Sequence, residues 1–333
     1  MKNLTVLIIL SIFVTFVAAQ QPEQNNGHRI EVNIPSLSDT TLILGHYYNQ
    51  RMYVDDTTRV NSRGVAVFED SEPLPQGVYL VYLPNQNYFD LLIDDDQHFK
   101  VTADTSNLVK SLQIEGAEQT KKFNDYQKFI ITRQEEAKDL QQQLQAVNSD
   151  SEEAAEIRKK LNAINKKVET EWEKLISGNP DSMLGLFIKG IQEIEVPKFD
   201  IDESVENKDS LQRLKQYHYY RNHYFDNMDL SDKRLLRTPF FAGKVENYFS
   251  SVLPQIPDTL LAESIEIIEQ ARPSQEMFRY LVSYVFNYAN DSQLMGMENL
   301  LVGIAEKYYL SGEADWAEEE FLEEIGLLMA GVR

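Results

Sequence analysis

The first part of the chain alternates between apolar and polar residues. Between Arg29 and Gly116 the alternation is interrupted by turn residues at intervals of about 8–12 positions, which is typical of short strands. Several segments, 78–83 among them, carry apolar residues on both faces, and this favours two packed sheets over one sheet with a solvated face. We therefore predict about seven to nine antiparallel strands that form a β-sandwich, with a partly open barrel as the alternative.

Beyond Ala117 the spacing of apolar residues changes to the helical period and keeps it to the end of the chain. The pattern predicts two long helices that meet at Asn148-Ser149-Asp150, and the second has nearly heptad spacing, as in a coiled coil. Shorter helices follow, among them 239–253 and 314–329. The predicted fold class is α+β and multidomain: an antiparallel β-sandwich at 20–116, a long antiparallel helical hairpin at 117–178 and an all-α domain at 179–333.

The N-terminus has the pattern of a cleaved signal peptide. Lys2 precedes an apolar run from Leu4 to Val17, and the small residues Ala18 and Ala19 follow it. About 14 apolar residues are too few for a membrane-spanning helix, so we expect no transmembrane segment. The sequence predicts a signal peptide at 1–19, cleavage near Ala19, and a protein that is periplasmic or otherwise exported.

The composition excludes several classes of function. The chain has no cysteine, so it can form no disulfide and perform no dithiol exchange by itself. Asp and Glu total 53 against 32 Lys and Arg, a net charge of −21 that repels phosphate backbones and makes nucleic acid a poor partner. The common phosphate-loop, dinucleotide, nucleophile-elbow and zinc-protease motifs are absent from the sequence. We therefore expect no enzymatic activity, no catalytic residue, no cofactor and no metal.

Two groups of residues invite a metal hypothesis, and each has a plainer interpretation. His218, His223 and Asp226 are weak metal candidates because five helical positions turn two imidazoles apart, and aromatic packing is the favoured interpretation. The run 94–96 consists of three aspartates but lacks the spacing of a calcium loop. A solvated hairpin turn is the favoured interpretation of that run.

Aromatic residues concentrate between Tyr217 and Phe249. Such residues can line an interaction surface because they offer a large contact area with a polar tip, although packing between helices is the more common role. The candidate interaction surface comprises Tyr217, Tyr220, Tyr224, Phe225, Phe240 and Phe241.

Seven segments of the chain, in order, resemble one protein family. The chain is similar to exported thioredoxin-like thiol-disulfide oxidoreductases of the TlpA type from Gram-negative envelopes. In that family a β domain and a helical domain, both of uncharacterised function, precede a thioredoxin fold with a Cys-x-x-Cys motif. The segments are LPQGVYL (74–80), LIDDDQHF (92–99), RNHYFDN (221–227), SDKRLLRTP (231–239), EMFRY (276–280), MGM (295–297) and EKYYL (306–310).

The resemblance implies an accessory role, because the chain ends at Arg333 with no thioredoxin domain and no Cys-x-x-Cys motif. The leading hypothesis is a non-catalytic region, truncated before its redox domain, that positions or selects partners for that domain. The expected partner is another protein or a C-terminal thioredoxin-like domain, and the hairpin is a candidate site of homo-oligomer formation. The alternative is a stand-alone periplasmic protein that binds a peptide or small ligand where the sheet meets the helices.

Overall fold

The α+β fold class is confirmed. The computed structural model describes residues 27–202, 204 and 206–332, so the predicted signal peptide at 1–19 lies outside the described residues. Two four-stranded sheets are followed by a mostly helical region that begins with a long hairpin. Within the described ranges, no helix combines the length and the apolar character that a membrane crossing requires.

Eight strands form the N-terminal region. The first sheet has the order β4-β1-β7-β8 and the second has the order β3-β2-β5-β6. One pairing differs from the predicted antiparallel arrangement: β1 and β7 run parallel, since the chain visits the second sheet between them and returns beside β1. The strands are β1 His28–Asn33, β2 Thr41–Tyr48, β3 Arg51–Arg59, β4 Val65–Asp70, β5 Gly77–Tyr82, β6 Tyr88–Ile93, β7 His98–Thr102 and β8 Gln113–Glu115.

The two sheets enclose one apolar core. Alternate residues of facing strands point inward, as the period-two pattern requires, and bring Ile30, Leu44 and Phe89 into contact with the same cluster. Tyr79 is fully buried there and satisfies its hydroxyl by donating to the Pro75 carbonyl at 2.8 Å. A bulge in the β2–β3 pairing at Leu44 and Gly45 shifts the register of the strand ends that follow it.

Ten α-helices account for most of the remainder of the described chain. The segment 239–253, predicted as one helix, instead contains α6 and a π-helical turn, Tyr248–Val252; a second π-helical turn, Ala305–Tyr309, follows α9. A 3₁₀ turn, Lys233–Arg237, precedes α6. The helices are α1 Leu108–Ser111, α2 Glu118–Ala146, α3 Glu152–Gly178, α4 Met183–Gly190, α5 Lys208–Asn222, α6 Phe241–Asn247, α7 Pro257–Gln270, α8 Gln275–Asn290, α9 Met297–Ile304 and α10 Glu319–Val332.

The hairpin of α2 and α3 is joined to the sandwich at its base. Phe123 of α2 and Leu175 of α3 share an apolar cluster with Val78 of β5 and Leu92 of β6. These strand residues lie on the outer face of the second sheet, the face turned away from the sandwich core. The base of the hairpin therefore covers one end of that outer face.

Asp94 connects the second sheet to α4. Its Oδ2 accepts a hydrogen bond from the backbone N–H of Met183, the first residue of α4, at 2.9 Å. Asp94 is only 5% exposed, and burial raises the pKa of its carboxyl group. The prediction of a solvated turn is therefore wrong for Asp94, because its side chain binds one of the N–H groups that a helix leaves free at its start.

A second contact holds the helical region against the sandwich. The Arg234 guanidinium donates to Gln76 Oε1 at 3.1 Å and to the Asp181 carbonyl at 3.0 Å. The Asn49 N–H, in the β2–β3 turn, donates to the Leu236 carbonyl at 2.8 Å. Gly77 lies so near this 3₁₀ turn that an added Cβ would stand 2.6 Å from the Arg237 Cβ. The sandwich and the helices are thus packed tightly at several points.

We predict that Asp94→Ala lowers the free energy of unfolding by about 1–2 kcal/mol, because the Met183 N–H loses its buried acceptor. Urea unfolding followed by circular dichroism measures the change. Asp96→Ala is the matched control, since Asp96 is an exposed aspartate two residues away, and we expect it to change stability by less than about 0.5 kcal/mol. Equal effects of the two substitutions would contradict the capping role of Asp94.

Candidate functional site

The aromatic residues predicted as an interaction surface pack mainly inside the protein. Tyr224 and Phe241 are 6% and 0% exposed, so neither offers area to a partner. Tyr217, Tyr220, Phe225 and Phe240 are half-buried. The Phe240 ring lies 5.5 Å from the ring of Phe187 on α4. These residues therefore build the helical core and its contact with α4, which is the packing alternative considered above.

The histidine cluster is divided in the structure. His223 Nδ1 lies 2.6 Å from Asp226 Oδ2 in an exposed pair at the end of α5, and His218 lies beside the ring of Tyr217. Over the described residues, no group of three or more His, Cys, Asp or Glu side chains is arranged to hold a metal ion.

The clearest exposed apolar area lies on the part of the second sheet's outer face that the helices leave uncovered. Met52 and Val54 on β3 are 52% and 68% exposed, and Tyr88 on β6 is 45% exposed. Tyr82 on β5 is half-buried between them. We call these four residues, Met52, Val54, Tyr82 and Tyr88, the outer-face patch.

Contacts within the outer-face patch hold its side chains in place. The rings of Tyr82 and Tyr88, which face each other across β5 and β6, have centroids 5.2 Å apart. The Tyr82 hydroxyl donates to Met52 Sδ at 3.1 Å and so spans β2 to reach β3. The patch is therefore an ordered surface that extends across the width of the sheet.

A carboxylate lies next to the patch without a hydrogen-bond partner. Asp90 follows Tyr88 by two residues on β6, so both side chains project from the same outer face. Asp90 Oδ1 is closed to solvent, and within the described part of the chain nothing donates a hydrogen bond to it. Burial raises the pKa of Asp90 from 3.8 to about 6. Most buried carboxylates in folded proteins are paired, so Asp90 calls for an explanation.

The negative charge of Asp90 contributes to the raised pKa of two nearby tyrosines. Burial, followed by the negative charge of Asp90 and the neighbouring Tyr88, raises the pKa of Tyr47. Burial, Tyr88 and Asp90 raise the pKa of Tyr82 in the same way. The site therefore combines one negative charge with neutral aromatic side chains, an arrangement suited to binding a cation or a hydrogen-bond donor.

Sequence reasoning did not single out Asp90. A signal was present, because a charged residue interrupts the otherwise apolar strand Tyr88–Ile93. The signal was weak because only the structure shows that one oxygen of this carboxylate is closed to solvent. Met52 and Val54 lie in the alternating region between Arg29 and Gly116, but the alternation alone did not say which of its residues stay uncovered.

Two family models match the chain. Residues 28–123 match a family described as a domain of unknown function, DUF4369, and residues 200–328 match another domain of unknown function, DUF5106. The outer-face patch and Asp90 lie within the first matched region. No curated protein and no solved structure matches the chain.

We predict that Asp90→Asn stabilises the isolated protein by about 1–3 kcal/mol at neutral pH, because it removes an unpaired buried charge. The raised pKa means that the native protein gains stability as pH falls from about 6 toward 3.8, while the variant does not gain this contribution. The advantage of the variant should therefore shrink between pH 7.5 and pH 5. Urea unfolding at both pH values measures it.

Asp96→Asn is the control for that experiment, because Asp96 is an exposed aspartate in the turn after the same strand. We expect it to leave stability nearly unchanged at both pH values. An Asp90→Asn variant that is less stable than the native protein at both pH values would show that Asp90 makes a favourable interaction.

Proposed function

We propose that this chain is the exported, non-catalytic interaction region of a periplasmic thioredoxin-like thiol-disulfide interchange protein. In this proposal the sandwich and helices position or select protein partners, and a redox domain outside this chain performs the exchange. The observation that carries the proposal is the outer-face patch, an ordered apolar surface exposed on a sheet that is packed firmly against the helices. Contiguous exposed apolar surface of this kind commonly marks an interaction site.

The rigidity of the support favours this role. Asp94 fixes the second sheet to α4, and Arg234 fixes Gln76 of the sandwich to the helical region. The patch is therefore presented at a constant orientation relative to residues 200–328, which form most of the helical region. A constant orientation suits a region that aligns a partner with a neighbouring domain.

The link to thiol-disulfide exchange rests on the sequence resemblance. Its segments fall in both regions that match domains of unknown function, at 74–80 and 92–99 in the first and at 221–239 in the second. Exchange requires a thiolate, and this chain contains no cysteine, so the chemistry would belong to another domain or protein.

We predict that the coding locus continues beyond Arg333 into a thioredoxin-like domain with a Cys-x-x-Cys motif. Sequencing of the locus tests this directly. A stop codon at this point in related loci, with no thioredoxin-like frame nearby, would contradict the accessory role and favour the alternative, a stand-alone periplasmic binding protein. The outer-face patch would then be the first surface to test for a ligand.

We predict that the double substitution Met52→Ser and Val54→Ser in the full-length oxidoreductase weakens reduction of a protein disulfide at least fivefold. Turnover of a small disulfide such as oxidised glutathione should stay unchanged, since it needs only the redox domain. Leu214→Ser is the matched control, because Leu214 is 51% exposed on α5, away from the sheet. Equal loss with both substrates, or an equal effect of Leu214→Ser, would contradict a partner-selecting patch.

Export is tested separately. We predict that the protein recovered from the periplasm of a Gram-negative host begins at Gln20, because the small residues before it fit signal peptidase. Mass spectrometry of the N-terminal peptide measures the cleavage site. Recovery of the protein with Met1 intact in the cytoplasmic fraction would contradict export.

A further inference from the structure

We propose that Asp90, with the tyrosines around it, binds the side chain of a lysine presented by a partner protein. This inference rests on the proposed function and names the chemistry of the partner that the outer-face patch would receive. It begins from the unpartnered carboxylate, because burial of an ionised group without a counter-charge is unfavourable in the free protein. A bound cation would supply the missing counter-charge, so the carboxylate would then stabilise the complex.

The surroundings of Asp90 favour a cation with a long apolar stem. Tyr82 and Tyr88 stand beside the carboxylate, and their rings are held in contact with each other. Aromatic rings attract an ammonium group near their faces and pack against the methylene groups that carry it. Met52 and Val54 extend the apolar area on which the rest of a bound segment can lie.

The geometry of the carboxylate distinguishes lysine from arginine. Arginine binds carboxylates most strongly when two parallel N–H groups reach both oxygens. Oδ1 of Asp90 is closed to solvent, so an incoming side chain reaches only the other oxygen. A lysine ammonium acts as a point charge and needs a single oxygen, which this site provides.

Charge complementarity favours a protein partner that is basic at the contact. The chain has a net charge of −21, so it attracts a lysine-bearing surface and repels an acidic one. The apolar area of Met52 and Val54 gives no advantage to a small free amine, whereas a polypeptide segment can cover it. We therefore commit to a lysine side chain on a protein.

The test uses the purified protein labelled with ¹³C at the methionine methyl groups. Met52 receives the Tyr82 hydroxyl and so reports on the site, while Met295, 97% exposed near the start of α9, serves as an internal reference. The Met52 signal is identified as the methyl signal that disappears in the Met52→Leu variant. Three probes are titrated: a blocked peptide with one central lysine between valine and threonine residues, the same peptide with norleucine, and n-propylammonium.

We expect the lysine peptide to shift the Met52 signal in a saturable manner and to leave the Met295 signal in place. The norleucine peptide and n-propylammonium should bind at least tenfold more weakly. Asp90→Asn should weaken binding of the lysine peptide at least tenfold, while Asp96→Asn should leave it unchanged. Because Asp90→Asn is expected to stabilise the protein, lost binding would not reflect unfolding.

Three results would overturn the inference. Equal binding of the lysine and norleucine peptides would show a purely apolar contact, and equal binding of n-propylammonium would show a small-amine site. Unchanged binding by Asp90→Asn would remove Asp90 from the contact. If Asp90→Asn has no effect while the Met52 and Val54 double substitution still abolishes selection of protein substrates, the lysine inference fails and the proposed function stands.

Discussion

The packing of α2 and α4 on one end of the second sheet is the contact on which the rest of the structure depends. It buries Val78 and Leu92 on a face that would otherwise be solvated, and it brings Asp94 close enough to bind the first N–H of α4. The same contact determines which part of the sheet stays open. The outer-face patch exists because the helices cover only part of the face that the alternating sequence makes apolar.

The sequence predicted the fold class and most elements because period-two and 3.6-residue patterns depend on local burial. The parallel pairing of β1 and β7 could not be predicted, since it depends on the path of the chain between two sheets. The roles of Asp94 and Asp90 were missed for a related reason. The run 94–96 looks solvated in sequence, and a single aspartate inside a strand does not show whether its carboxylate is buried; only the folded chain shows that Asp94 binds α4 and that Asp90 Oδ1 is closed to solvent.

The burial of the aromatic residues could not be predicted from the sequence either. Tyr224 and Phe241 were considered as surface residues, yet they lie in the helical core, whereas Tyr53 and Tyr88 of the sandwich are exposed. Composition identifies residues capable of making large contacts, but it cannot say whether another part of the same chain already covers them. The candidate site was therefore located from two structural observations: the exposed side chains of the outer-face patch, and the buried Oδ1 of Asp90 that accepts no hydrogen bond.

The hairpin has a further geometric consequence. The buried residues of α2 lie between Thr120 and Tyr126, near its start, whereas the helix continues to Ala146. At 1.5 Å per residue, those last 20 positions carry the hairpin tip about 30 Å beyond the last buried residue of α2. The first turns of α2 lie against β6, and further along Lys128 donates to the Leu112 carbonyl while Glu135 pairs with Lys110 of α1. The hairpin thus forms a long lever arm, since a load at its tip is transmitted to the sandwich through the contacts that α2 makes up to Glu135.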